Sequence, residues 1–247
     1  LVSTRPSYVG GSHKLLHRLW TAALGTAESI RSGLPQDRHD PSKISPEELE
    51  AFLGGLHEES VETGRDLAQK HSFESCKKLL DVGGGTGGLA IGVTEACPGL
   101  QTTVVDLPAV APIAKRFIQN AGSSNRVRVE ACDVVHQAPA GAFDVAVLKA
   151  ILQTLSPDEA QKVICHVSTA ITPGGTILIL GAGILDNDRI SPKHAAAFNI
   201  IFLNLYDEGQ AYTEQEYRAW LSEAGFVQCE RKILAYGSSL IKAKKPI

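Results

Sequence analysis

The octet Asp81-Val82-Gly83-Gly84-Gly85-Thr86-Gly87-Gly88 constrains this chain more than any other stretch. It follows the short run Lys78-Leu79-Leu80 and leads into LAIGVTEA, a sequence with helical character. Strand, glycine turn and helix in that order make a seat for a nucleotide-like ligand. Glycine permits the sharp turn and the close backbone approach, and the helix N-terminus offers N–H groups with no partner inside the helix. Gly83, Gly85 and Gly88 also satisfy the G-x-G-x-x-G spacing of dinucleotide-binding enzymes, so the loop alone leaves the ligand open.

The surrounding pattern supplies the architecture. Aliphatic runs at 78–83, 102–107, 127–132, 143–149 and 176–182 alternate with helical stretches at 87–97, 109–121 and 157–171. Such alternation predicts an α/β fold with a parallel sheet covered on both faces. Further helices are expected at 193–206 and 213–224, then two strands, 226–235 and 238–244, joined at Gly237 as a closing antiparallel hairpin. Upstream, residues 1–11 read as a linker and 12–30 as a helix. Ser45-Pro46-Glu47-Glu48 opens a second helix reaching about Gln69, with breaks expected at Gly54-Gly55 and Gly64. The chain thus divides into a helical segment, 1–70, and a nucleotide-binding domain, 71–247.

Three acids at successive strand ends narrow the ligand. Asp81 precedes the first glycine, where a carboxylate would repel a pyrophosphate but suits a ligand carrying ammonium and sulfonium charges. Asp106, 23 residues after Gly83, can accept two ribose hydroxyls. Asp133 with Val134 can bond an adenine amino group and sandwich its ring. S-adenosylmethionine meets all three demands, and NAD is the weaker alternative.

Composition sets the outer limits. Across 247 residues the net charge is −3, which gives no general attraction to nucleic acid or an anionic membrane. The lysines Lys242, Lys244 and Lys245 read as a solvated strand end. Five scattered cysteines without a C-x-x-C suggest a reducing compartment and no zinc site, so a cytoplasmic enzyme without metal is expected. Cys132 and Cys229 lie in apolar runs as packing residues, and the chain carries no methionine.

The stretches LLDVGGGTG, VVDLPAV, RVRVEACDVV, FDVAVLKAILQTLSPDEA, PGGTILILGAGILDNDR and YTEQEYRAWLSEAGF resemble, in order and spacing, the caffeate/acetylserotonin-type O-methyltransferases, especially bacterial members. The resemblance runs from about residue 12 to the end. It implies a Rossmann-like class I methyltransferase with a seven-stranded, mostly parallel sheet, S-adenosylmethionine as methyl donor and a small-molecule acceptor. It also implies a cofactor site of Asp81, Gly83, Gly85, Asp106, Leu107, Asp133, Val134 and Lys149, with Leu56 beside it. Family members usually carry an additional N-terminal dimerisation domain, absent from this sequence, so a homodimer is an expectation by resemblance only.

The family's catalytic pattern is not kept. Its general base is a histidine after strand four, and LKAILQTLSPDEA places Gln153 there. A neutral amide cannot act as a base near pH 7. The family's two acids would fall at Ala182 and Ala211. None of His57, His136, His166 or His194 stands in as a substitute on sequence grounds. The expected reaction is therefore O- or S-methylation in which Gln153 orients an acceptor that needs no base. Asn199, Phe202, Tyr206 and Tyr212 are candidate acceptor-pocket residues. A hydroxylating or decarboxylating relative, or a binding protein without turnover, are the alternatives.

Overall fold

The computed structural model describes residues 12–71, 73, 75–234 and 238–247. The expected linker at 1–11 and the turn at Gly237 lie outside them. Five aliphatic strands form the middle of one sheet: β1 (Lys78–Val82), β2 (Gln101–Asp106), β3 (Val127–Ala131), β4 (Phe143–Lys149) and β5 (Ile171–Gly181). These pair in parallel. Two later strands, β8 (Val227–Ile233) and β9 (Ser239–Lys244), close one edge antiparallel, giving the order β3-β2-β1-β4-β5-β9-β8. This is the seven-stranded, mostly parallel sheet that the resemblance implies.

Both faces are buried because side chains alternate along each strand. Leu80, Ala146, Ile177 and Ile179 face a core shared with α6 (Pro157–Ala170) and α8 (Glu214–Glu223). Leu79, Val145, Val147 and Leu178 face the other, shared with α4 (Gly88–Ala96). A further helix, α5 (Ala111–Asn120), packs beside β2 and β3. Strand order reverses between β1 and β4, so the crevice beyond their carboxyl ends is where such a sheet takes a ligand.

The N-terminal elements differ from expectation. The single helix over 12–30 is two helices, α1 (His13–Leu24) and α2 (Thr26–Ser32), divided at Gly25, where a Cβ would lie 2.9 Å from Gln36 Cβ. By contrast α3 (Pro46–Lys70) runs unbroken from the Ser45/Glu48 capping box, and its glycines are contact points instead of breaks. A Cβ on Gly64 would stand 2.3 Å from the Leu89 carbonyl oxygen, and one on Gly92 of α4 2.1 Å from that of Val61. Only glycine allows the two backbones to meet, and that contact lays α3 beside the glycine loop.

A small second sheet was not foreseen: β6 (Ile184–Leu185) pairs in parallel with β7 (Tyr212–Thr213), with α7 (Lys193–Leu205) between them in the chain. Arg231, buried on β8, holds this unit to the main sheet through Asp186 at 2.6 Å and the Ile184 carbonyl at 3.0 Å. Among the described residues no helix is long and apolar enough to cross a membrane.

Candidate functional site

A cavity of about 410 Å³ opens at the switch point between β1 and β4. Its floor is the turn after β1. Gly83 takes φ +63°, and a Cβ there would fall 2.5 Å from the Ile151 side chain, so glycine is required. The eight expected cofactor residues all line this cavity, as do Leu56, Gln153, Phe202 and Tyr206.

Asp81 is the electrostatic centre of this end. It is 1 % exposed, and neither carboxylate oxygen has a hydrogen-bond partner. Burial pushes its pKa up to about 7, aided by the neighbouring Asp106 charge, with Lys149 and the Ala90 amide pulling the other way. An unpartnered buried carboxylate is costly, and a bound cation removes the cost. Asp106 is better satisfied: one oxygen accepts the Gly85 N–H at 2.8 Å and the other the Leu107 N–H at 2.8 Å. Burial still raises its pKa to about 6. Asp133 accepts the Val135 N–H at 3.0 Å and meets His136 Nδ1 at 3.0 Å. The one lysine in the wall, Lys149, is occupied by Glu59 and by Ser60 Oγ at 3.1 Å, both on α3. The cavity end is therefore acidic and suits a positively charged ligand. Ala150, the next residue, sits in the left-handed region at φ +58°, strain of the kind that gathers at functional sites.

The far end is apolar and aromatic, walled by Phe52 of α3, by Phe198, Phe202 and Tyr206 of α7 and its end, and by Leu15 and Leu19 of α1. Gln153 is buried here in a 3₁₀ turn, Leu152–Thr154, that precedes the Ser156/Glu159 capping box of α6. Its amide lies against the backbone of β5, 3.2 Å from where a Gly181 Cβ would stand.

Two expected pocket residues are not in the wall. Asn199 turns its Oδ1 to the Ala211 N–H at 2.7 Å, pinning α7 to the approach of β7. Tyr212 is fully buried against Tyr217 and Trp220 and donates its hydroxyl to the Leu155 carbonyl. Both are spent on the fold. Ala182 and Ala211 also lie outside the wall, and their methyl groups have no proton chemistry.

The sequence reading passed over His39. It lies in the loop at 33–45 with no periodicity to mark it, yet it lines the cavity, stacked on Phe52 at 3.9 Å between ring centres. His57, not expected to replace the base, bonds Thr86 Oγ1 of the glycine loop at 2.8 Å. His166 bonds the Val134 carbonyl at 2.9 Å. Both brace the site from behind. Cys132, expected as packing, is buried and also touches the cavity.

Comparison with known proteins agrees with this fold. The model of the O-methyltransferase domain matches residues 18–227. The 3-hydroxy-5-methyl-1-naphthoate 3-O-methyltransferase of Streptomyces sahachiroi is 32% identical over 231 residues, covering 91% of this chain and 66% of that protein. The tetracenomycin polyketide synthesis 8-O-methyl transferase TcmO of Streptomyces glaucescens is 28% identical, over 98% of this chain and 72% of its own. Human N-acetylserotonin methyltransferase, solved in complex with SAM, shares the fold at a TM-score of 0.86 and 24% identity, covering 100% of this chain and 73% of that one. The chain thus spans about two thirds to three quarters of the length of these proteins. By the match of its sequence and by its fold, the chain belongs to the O-methyltransferase family.

Proposed function

We propose that this chain is an S-adenosylmethionine-dependent methyltransferase acting on a small, planar aromatic acceptor through oxygen or sulfur. The observation that carries the reading is Asp81, a buried carboxylate with no partner at the acidic end of a cavity whose other end is aromatic. Asp81 would hold the ammonium group, Asp106 the ribose hydroxyls, and Asp133 with Val134 the adenine. When bound, S-adenosylmethionine supplies a methyl group on a positively charged sulfur, already activated for displacement. The chain's own share is positioning. Phe52, Phe198 and Phe202 hold a flat acceptor in one plane, and Gln153 orients its polar group by hydrogen bonding without taking its proton.

The names of the two bacterial relatives both state O-methyl transfer, one onto a hydroxynaphthoate, which supports methyl transfer over hydroxylation, decarboxylation or binding without turnover. Asp81 argues against NAD, whose pyrophosphate would meet a carboxylate. In the division proposed here, the segment 1–70 contributes one wall of the site through α1, α3 and the loop at 33–45, and 71–247 is the nucleotide-binding domain. A homodimer and a cytoplasmic location complete the reading. Calorimetry with S-adenosylmethionine and with NAD, followed by a methyl-labelled donor mixed with phenols and thiols, tests it. Tight NAD binding with no response to S-adenosylmethionine would sink it.

A further inference from the structure

The proposed reaction leaves one proton without a destination. When the acceptor is a hydroxyl, Gln153 cannot take its hydrogen, and Ala182 and Ala211 cannot hold a base in place. His39 lies at the same end of the cavity. The ring of Phe202 comes close to Gly183, itself beside Gln153, with 2.9 Å left for a Cβ. Phe202 stands 6.4 Å from Tyr206 between ring centres, and Tyr206 6.2 Å edge-on from His39. Gln153 and His39 are thus linked through Phe202 and Tyr206 in the wall of one cavity.

The imidazole is held firmly. Its backbone N–H bonds the Leu205 carbonyl at 2.8 Å, the Asp37 N–H bonds that of Asn204 at 3.0 Å, and Phe52 stacks on its face. It is 8 % exposed, and its Nδ1 has no hydrogen-bond partner. Nδ1 is enclosed, which leaves Nε2, on the other side of the ring, as the nitrogen that can meet a ligand in the cavity. Burial and the Arg18 charge lower the His39 pKa to about 4, while Asp37 and Asp40 pull it upward, so the ring is neutral at pH 7 with a lone pair available. Tyr206, pushed up to about 12 by burial, keeps its proton and does not compete.

We propose that His39 is the catalytic proton acceptor for the hydroxyl of the acceptor substrate. This deepens the methyltransferase reading and rests on it. The hydroxyl oxygen forms its bond to the donor's methyl carbon while the carbon–sulfur bond breaks, its electron pair staying on sulfur as a neutral thioether. The hydroxyl proton, more acidic as that oxygen gains the methyl group, passes in the same step to the imidazole Nε2 and then to solvent.

The matched pair 2-naphthol and 2-naphthalenethiol tests this, because the thiol is ionised near pH 8 and needs no base, whereas the naphthol is not. His39→Phe keeps the stack on Phe52 and removes both nitrogens. It is expected to lower turnover of 2-naphthol about 100-fold, to leave turnover of the thiol in place, and to weaken 2-naphthol binding about tenfold, read by naphthol fluorescence without any donor. At saturating S-adenosylmethionine the wild-type rate on naphthol should be flat between about pH 6 and 8, while the variant's should climb about tenfold per unit with free naphtholate. His39→Asn, compared by thermal melting, serves if the phenylalanine variant does not fold. An equal fall on both acceptors, an unchanged naphthol rate, or a wild type that methylates only the thiol or neither compound overturns the proposal. Wild type that fails to bind S-adenosylmethionine in calorimetry would instead overturn the methyltransferase reading.

Discussion

At the glycine-loop end of the cavity the charged groups stand at or just past the ends of parallel strands, whereas at the aromatic end the walls come from α1, α3, α7 and the loop at 33–45. The first end is fixed by the sheet: β1, β2 and β4 are buried on both faces, so Asp81, Asp106 and Lys149 inherit their places from strand register. The second is fixed by helix packing and by single bonds such as that from His39 N–H to the Leu205 carbonyl. Rigid strand ends suit an invariant ligand such as a nucleoside, and helix-borne aromatics suit an acceptor that differs from enzyme to enzyme.

The sharpest break in this contrast comes from Asp81→Asn. Calorimetry should show S-adenosylmethionine affinity falling by about 100-fold or more, as when one partner of a buried charge pair is removed. The same substitution should stabilise the ligand-free protein, more at pH 8 than at pH 5. Asp81 has a folded pKa of about 7, above its unfolded value of about 3.9, so ionisation increasingly penalises the native state as pH rises through that window. A lower melting temperature at pH 8 would contradict the unpartnered carboxylate.

Gly92→Ala probes the contact that joins the two ends, because the new methyl would strike the Val61 carbonyl. A loss of about 1–3 kcal/mol in denaturant unfolding is expected. Gly99→Ala, open on all sides, should change stability by less than about 0.5 kcal/mol. Equal effects at the two sites would show that α3 and α4 do not need to touch.

Titrating the wild type gives a smaller effect. Cation binding needs ionised Asp81 and Asp106, at about 7 and about 6, so affinity should fall as pH drops below 7 and more steeply below 6. The slope should approach tenfold per unit for each group, measured by calorimetry from about pH 8 to 5.5. The smallest change is expected from Gln153→His. With Ala182 and Ala211 unable to orient it, the new imidazole should alter 2-naphthol turnover by less than about tenfold. A much larger gain would place the lost base above every other deficit of the aromatic end.

What could be read in advance follows the same division. Strand ends and the glycine turn were legible because buried parallel strands are aliphatic runs and their ends are marked by Asp and Gly. The continuity of α3 through Gly64 was not, because a glycine that breaks a helix and one that admits a neighbouring backbone look alike in one dimension. Asn199 and Tyr212 carried the right chemistry for a pocket, yet their partners, the Ala211 amide and the Leu155 carbonyl, are decided by where the β6–β7 unit docks. His39 had no local signal at all.

By itself the sequence determined the parallel sheet, the glycine turn after β1 and a neutral amide at Gln153, since each depends on residues near one another in the chain or on what a side chain can do. Tertiary structure alone decided that Asp81 is left without a partner, that α3 and α4 meet backbone to backbone, and that a histidine from the loop at 33–45 joins Gln153 in the wall of one cavity. Contacts between segments more than 100 residues apart, such as His39 and Leu205, are set by packing of whole elements, which local pattern does not encode.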